Sequence, residues 1–323
     1  MPYLIGMDEA GYGPNLGPLV ISASAWYVPE GVAAGELYEL LADCVAGPPF
    51  PAKRNADPVR LAIGDSKDLY RPGGGVALLE QAVQVALHLL KRRVRSWDEL
   101  WEALSADGSG ARREQPWHDG FSLDLPLEVS LTDVKRCLGN FRQSAQRTGI
   151  RLVDLRSVAI FPRQFNELVQ RYGGKGAALS RLTLGLLSEV LEPLDEPARV
   201  ICDKHGGRNC YASLLQEHFS EYLIEIYGED RAESVYRWGP SSARTEVRFL
   251  KNGERFLPAA LAAMTSKYLR EIAMLAFNEF WLSKVPGLRP TAGYAVDSRR
   301  FKTEIAATQQ SLGIADELLW RER

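Results

Sequence analysis

Two adjacent carboxylates, Asp8 and Glu9, close a short apolar run that starts at Tyr3, and a glycine-rich turn, Gly11-Tyr12-Gly13-Pro14, follows at once. The apolar run reads as a buried strand. Side chains alternate along a strand, so the two acids point to opposite faces unless the strand ends or bends there. Gly11 and Gly13 permit a bend and the close approach of another backbone. Acids at a strand end, beside bare backbone, suit a hard divalent cation and a phosphate-bearing substrate. The pattern recurs at Arg199-Val-Ile-Cys-Asp203, an apolar run ending in a carboxylate, with glycines at 206 and 207. An aspartate there also suits an Asx turn or a helix cap; the repetition favours a site. Phosphoryl hydrolysis by two metal ions needs several such carboxylates around ions about 4 Å apart.

The elements that must position these residues follow from hydrophobic period and turn residues. Strands are expected at 3–9, 18–28, 151–160, 198–203, 233–238 and 245–250, and helices at 34–45, 76–95, 130–148, 210–220, 257–282 and 301–312. Residues 166–192 read as mostly helical, interrupted at Gly173-Gly174-Lys175-Gly176. The stretch 96–128 reads as an insertion, with a mobile loop at 105–113. Strands alternating with helices, two of them adjacent at the start, argue for a mixed sheet flanked by helices.

Composition sets bounds. The chain has 323 residues, 46% apolar and 25% charged, as in ordinary globular proteins. A net charge of −2 supplies no global basic field, so a nucleic-acid partner would need a local positive groove. Cys44, Cys137, Cys202 and Cys210 lack C-x-x-C spacing, which argues for reduced thiols, against a zinc site, and for a cytoplasmic location. The start shows no signal peptide, and no apolar run is long enough for a membrane span.

The segment Ile5-Gly-Met-Asp-Glu-Ala-Gly-Tyr-Gly-Pro14, continuing to Gly17-Pro18-Leu19-Val20, resembles the opening motif of the type 2 ribonucleases H, the ribonuclease HII and HIII enzymes. The likeness extends further. Asp203 matches the carboxylate that this family places at a later strand end, with Lys204 where a glycine is common. Leu257–Glu271 resembles the family's alanine-rich helix, with Lys267, Arg270 and Glu271 on matching positions. Lys267 and Glu271 share a helix face by their spacing. Asp65-Ser66-Lys67 matches an Asp-Ser-Lys motif that lies beside the substrate backbone. Gly293-Tyr294 matches an element whose tyrosine stacks on a sugar, although Ala295-Val296 follow in place of Gly-Thr. Phe161–Leu168 and Glu271 lean toward ribonuclease HIII, while Tyr12 stands where ribonuclease HII carries an arginine.

The resemblance implies a ribonuclease H-like α/β fold: a central mixed sheet flanked by helices, with a helical C-terminal appendage. It implies one domain over 1–323, with the insertion at 96–128 and a substrate-groove segment at 284–323. It implies hydrolysis of the RNA strand of RNA/DNA hybrids by Mg2+ or Mn2+ held on Asp8, Glu9, Asp203 and Glu271. Gly11, Tyr12, Gly13, Ser66, Lys67, Lys267 and Tyr294 would bind the substrate. That substrate is an RNA/DNA hybrid or a ribonucleotide-containing duplex, and the protein would act as a monomer away from membranes. Another nuclease on the same fold and a hybrid-binding protein with impaired catalysis are the alternatives; four acids together weigh against the second.

Overall fold

The computed structural model describes residues 1–50, 59–70, 74–105 and 109–322. Seven strands form one sheet: β1 (Tyr3–Ala10), β2 (Leu19–Tyr27), β3 (Arg151–Ile160), β4 (Ala198–Asp203), β5 (Glu225–Glu229), β6 (Glu233–Trp238) and β7 (Thr245–Leu250). Their spatial order is β3-β2-β1-β4-β7-β6-β5. The central trio β1, β4 and β7 is parallel, and antiparallel strands extend it on both sides. Parallel central strands are buried on both faces, and β1 is accordingly apolar through its middle, whereas β4 and β7 carry Arg199, Arg248 and the buried Glu246, which pair with one another.

The helices are α1 (Ala77–Leu89), α2 (Trp97–Leu104), α3 (Leu131–Thr148), α4 (Pro162–Tyr172), α5 (Lys175–Leu191), α6 (Ala212–His218), α7 (Leu257–Lys284) and α8 (Ala295–Ser311). They cover the sheet on both faces. Leu4, Val20 and Trp26 project into a core built with α1, α3 and α7. Ile5, Met7, Val200 and Cys202, of opposite parity, project into a second core built with α5 and α6. A third cluster, with Phe277, Trp281, Phe301 and Ile305, fastens α8 to the far end of α7. The expected architecture, a mixed sheet between helices with a helical C-terminal appendage, is the one observed.

The long helix α7 lies unusually close to β1. A Cβ on Gly6 would sit 2.0 Å from the Ala259 nitrogen, so only glycine admits the helix at this distance. Ala259, Ala263 and Ser266 line the approaching face by helical spacing. The Ser266 hydroxyl donates to the Asp8 carbonyl at 3.1 Å, and the Ser24 hydroxyl donates to the Pro258 carbonyl at 2.7 Å. Helix and strand thus approach as a unit at the place where the strand delivers its carboxylates.

Several expected boundaries shift for local reasons. Over 34–45 the chain makes only short helical pieces, Ala34–Glu36 and Leu37–Leu40, before Val45–Ala46 pairs in parallel with Leu61–Ala62. Helix α1 stops at Leu89 rather than 95: Lys91 is left-handed at φ 61°, and the Arg92 N–H returns to the Leu87 carbonyl. Helix α8 begins at Ala295, six residues before its expected start. Strand β5 was not expected, because its exposed sequence Glu-Ile-Tyr-Gly-Glu lacks apolar alternation.

The stretch 96–128 is well packed where it is described. Trp97 and Trp101 of α2 are buried, and Trp117 meets Phe277 of α7 edge-on at 4.9 Å between ring centres. The expected mobile loop at 105–113 contains a helical turn, Ser109–Arg113; residues 106–108 of that loop lie outside the described residues.

Candidate active site

Parallel strands deliver their C-terminal ends to the same edge of a sheet, where α/β proteins place their ligands. Here the β1–β4 pairing ends with Met7 opposite Cys202, so Asp8 and Asp203 emerge one residue later, side by side on the α7 face. Glu9 continues the same strand end. Strand β7 ends at Leu250, opposite Asp203, and the turn Lys251-Asn252-Gly253 leads to Glu254. Asn252 takes the left-handed conformation at φ 60°, which reverses the chain toward β4. The Gly253 N–H donates to Asp203 Oδ1 at 3.1 Å.

The electrostatics show how crowded these acids are. Burial, followed by the charges of Glu9, Asp203 and Glu254, pushes the Asp8 carboxyl well above the usual range. Burial and Asp203 raise Glu9 to about 7. Burial also raises Asp203, against the opposing pull of the Gly253 N–H and Lys67. Burial raises Glu254 too, with Asp203 and Asp65 adding to it. Four carboxyls that disfavour ionisation together form an oxygen-only donor set, which suits a hard cation that would compensate the charge. Among the described residues, no three His, Cys, Asp or Glu side chains stand close enough as placed to hold a metal ion. The acids therefore share a field rather than a preformed coordination shell.

Glu271 is held by its own set of partners. Its carboxylate accepts from Tyr70 Oη at 2.7 Å, pairs with Lys267 Nζ at 2.7 Å and meets Arg270 Nη1 at 3.4 Å. It is not among the principal charges acting on Asp8, Glu9 or Asp203, whereas Glu254 acts on Asp8 and Glu9. The fourth acid that the structure brings to the strand ends is Glu254, which the sequence reading passed over. The signal was present: a strand expected at 245–250, then Asn-Gly and an acid, just before the alanine-rich helix.

The expected substrate residues gather unevenly around the acids. Lys67 belongs to a single helical turn, Ser66–Leu69, capped by Asp65, whose carboxylate accepts from the Lys67 N–H at 2.9 Å. Its ammonium, 82% exposed, lies 3.6 Å from Glu254. Burial lowers the Lys67 pKa, but Asp65, Glu254, Asp8 and Asp203 raise it more, so it stays protonated. Ser66 starts this turn. Lys267 is committed to Glu271 and lies 4.6 Å above the Tyr70 ring.

Gly11 is left-handed at φ 90°, and a Cβ there would come within 2.5 Å of the Pro18 carbonyl oxygen. Gly13 faces open space. Tyr12 packs its ring toward the α5–α6 face, its hydroxyl over Gly206. Tyr294 caps α8 and is 53% exposed, beside Gly293, whose carbonyl accepts from the Asn15 N–H at 2.8 Å. Arg270, fully buried, donates to the carbonyls of Leu16 and Ala292 and ties the glycine loop to the tail.

His205, in the turn after Asp203, is buried. Its Nδ1 lies 3.0 Å from Ser180 Oγ and its Nε2 3.5 Å from Cys202 Sγ. Burial lowers it to about 3, so it stays neutral and structural.

No protein-family model and no curated protein matches the chain. Solved structures similar to it include the ribonuclease H2 of Pyrococcus horikoshii OT3, at 15% identity and TM-score 0.47, over 98% of this chain and 92% of that one. The ribonuclease HII of Archaeoglobus fulgidus, solved in a complex with PCNA, is similar at 14% identity and TM-score 0.41, over 99% of this chain and 94% of that one. A Bst ribonuclease HIII in complex with Mn2+ is similar at 15% identity and TM-score 0.40, over 99% of this chain and 66% of that one. What the fold and site define by themselves is an α/β protein with an acid cluster at the ends of its parallel strands. Among the described residues, no helix is long and apolar enough to cross a membrane.

Proposed function

We propose that this protein is a type 2 ribonuclease H-like endonuclease that cuts the RNA strand of RNA/DNA hybrids, using Mg2+ or Mn2+. The observation that carries the reading is the crowding of Asp8, Glu9, Asp203 and Glu254 where β1, β4 and β7 end, with Lys67 at the rim. The motif likeness over residues 5–20 supports it independently. Divalent cations, when bound to such carboxylates, supply charge neutralisation and Lewis-acid stabilisation to phosphoryl transfer. Glu254 takes the fourth position in this reading, and Glu271 orients Lys267 and Tyr70.

The chain's own groups then have distinct roles. Gly13 keeps the loop backbone bare, so a sugar-phosphate strand can lie against it, while Gly11 admits the Pro18 carbonyl and the Arg270 side chain that hold the loop. Lys67 holds a positive charge beside the acids and favours the substrate phosphate there. Tyr294 offers an exposed ring for stacking. Water adds in line to phosphorus and the ribose 3′-oxygen leaves, which yields a 5′-phosphate. Tyr12 packs inward and cannot supply a guanidinium fork, so hybrids with several consecutive ribonucleotides are cut faster than DNA carrying one. The test is a cleavage panel: matched hybrid, DNA with one ribonucleotide, duplex DNA and duplex RNA, each with Mg2+, Mn2+ or EDTA. Cutting confined to the RNA strand of hybrids and dependent on metal is expected; equal cutting of duplex DNA would refute the reading.

A further inference from the structure

Most cations around the acid cluster are already committed. Lys67 pairs with Glu254 and Lys267 with Glu271. Lys204 Nζ is taken by Asn209, Ser234 and the Asp230 carbonyl. Arg270 is spent on Glu271 and two carbonyls. Arg208 differs. It follows the strand that delivers Asp203, in the turn His205-Gly206-Gly207-Arg208, closed by its own N–H donating to the His205 carbonyl at 3.0 Å. Both glycines are left-handed, at φ 56° and 82°, which folds the turn back against the Tyr12 hydroxyl.

Among the described residues the Arg208 guanidinium makes no ion pair, and its Nε is buried without an acceptor. Its nearest aromatic neighbour is Tyr211, with the guanidinium carbon 6.0 Å from the ring centre. The side chain is half-buried, so the rest of the fork reaches solvent. Tyr12 neighbours both the turn and the acids: its hydroxyl lies against Gly206, and both Glu9 and Arg208 act on it. A guanidinium fork held without a counter-ion, with one N–H already stripped of water, is a site waiting for an anion.

We propose that Arg208 binds a backbone phosphate of the duplex, on the Tyr12 side of the acid cluster. This rests on the proposed function, and it adds a contact that the expected motifs do not contain. The duplex would then be held across the site by two cations from different loops. Lys67 lies beside Glu254, in the turn after β7, and Arg208 lies in the turn after β4, beside Tyr12.

The experiment measures hybrid binding in EDTA, where no cutting occurs, at a series of NaCl concentrations, and cleavage with Mn2+. It compares the wild-type protein with Arg208→Gln and Arg208→Lys. Each phosphate contact contributes about 0.9 to the slope of log K against log salt. Arg208→Gln should bind roughly tenfold more weakly with a slope smaller by about 1, and kcat at saturation should stay within about twofold. Arg208→Lys should keep the slope but not the full affinity, because a point charge replaces a fork. If the wild type binds and cuts hybrids while Arg208→Gln matches it in affinity and slope, the phosphate contact is refuted and the function stands. If the wild type neither binds nor cuts hybrids, the function falls and this contact with it. Should Arg208→Gln fail to fold, Arg208→Lys decides: weakened affinity supports the contact, and unchanged affinity overturns it.

Discussion

The Gly253 N–H donates to Asp203 Oδ1 at 3.1 Å, and this bond fixes the turn that carries Glu254 beside the end of β4. The acids at the strand ends are thereby four, from two parallel strands and the turn after the third. Glu254→Gln should lower cleavage roughly a hundredfold, the scale on which loss of one charge-stabilising group acts. Glu271→Gln should act mainly on stability, since it weakens the bonds to Lys267 and Tyr70 at a cost of about 1–3 kcal/mol. Cleavage rates and urea midpoints of the two variants, measured in parallel, check this; the reverse ranking would return Glu271 to the acid set.

Crowded carboxyls also predict a metal-dependent stability. Glu9 is raised to about 7 in the folded protein, against 4.5 unfolded. Between these values the folded state binds more protons, so this group's contribution to stability falls as pH rises from about 4.5 to 7. Asp8 is shifted in the same direction. In EDTA, Asp8→Asn should therefore melt higher than the wild type at pH 7.5, and the gap should close toward pH 4. Saturating Mn2+ should reduce or reverse the gap. Calorimetry at the two pH values decides; a gap that does not depend on pH would contradict the crowding.

His118 works in the opposite sense. It is buried against Trp97, Trp117 and Phe161, and its Nδ1–H donates to the Arg112 carbonyl at 2.9 Å. Burial lowers it to about 4, against 6.5 unfolded. Below about 6.5 only the unfolded chain takes the proton, so stability is lost as pH falls to about 4, by about 3 kcal/mol for this group. His118→Asn should flatten that part of the stability curve, read as urea midpoints between pH 4 and 7. A curve of unchanged slope would show that His118 is not kept neutral.

Gly6 predicts a packing limit. A methyl group there would lie 2.0 Å from α7 backbone atoms, which cannot yield as a flexible side chain would. Gly6→Ala should destabilise by about 3 kcal/mol. Because the Ser266 hydroxyl donates to the Asp8 carbonyl in the same contact, activity at permissive temperature should fall with it. Thermal melts and cleavage rates check both; a neutral Gly6→Ala would mean that helix and strand are not locked at this distance.

The parts of this fold that are legible in the sequence are those where one local signal suffices. The apolar runs of β1 and β4 and the glycine pair at 173–174 are of this kind. Asp8, Glu9 and Asp203 were legible because each ends an apolar strand. Glu254 was not, because it lies four residues beyond its strand, past a left-handed Asn252, and only the sheet order brings it home. The Lys267–Glu271 pair was also legible: helical spacing correctly put the two side chains together. Arg208 was hidden for a similar reason. Nothing in Gly-Gly-Arg marks a cation as unpaired until its neighbours are known to be spent elsewhere. The burial of His205 was likewise invisible, since it depends on Ser180, which is remote in sequence.

The central claim is that the acids at the strand ends cut the RNA strand of a hybrid. The most direct measurement is the cleavage rate on an RNA/DNA hybrid with Mn2+, together with hybrid affinity in EDTA, for the wild type, Asp8→Asn and Asp203→Asn. The account predicts that both variants lose cleavage by roughly a hundredfold or more while binding the hybrid at least as tightly as the wild type. Full cleavage by either variant would contradict it.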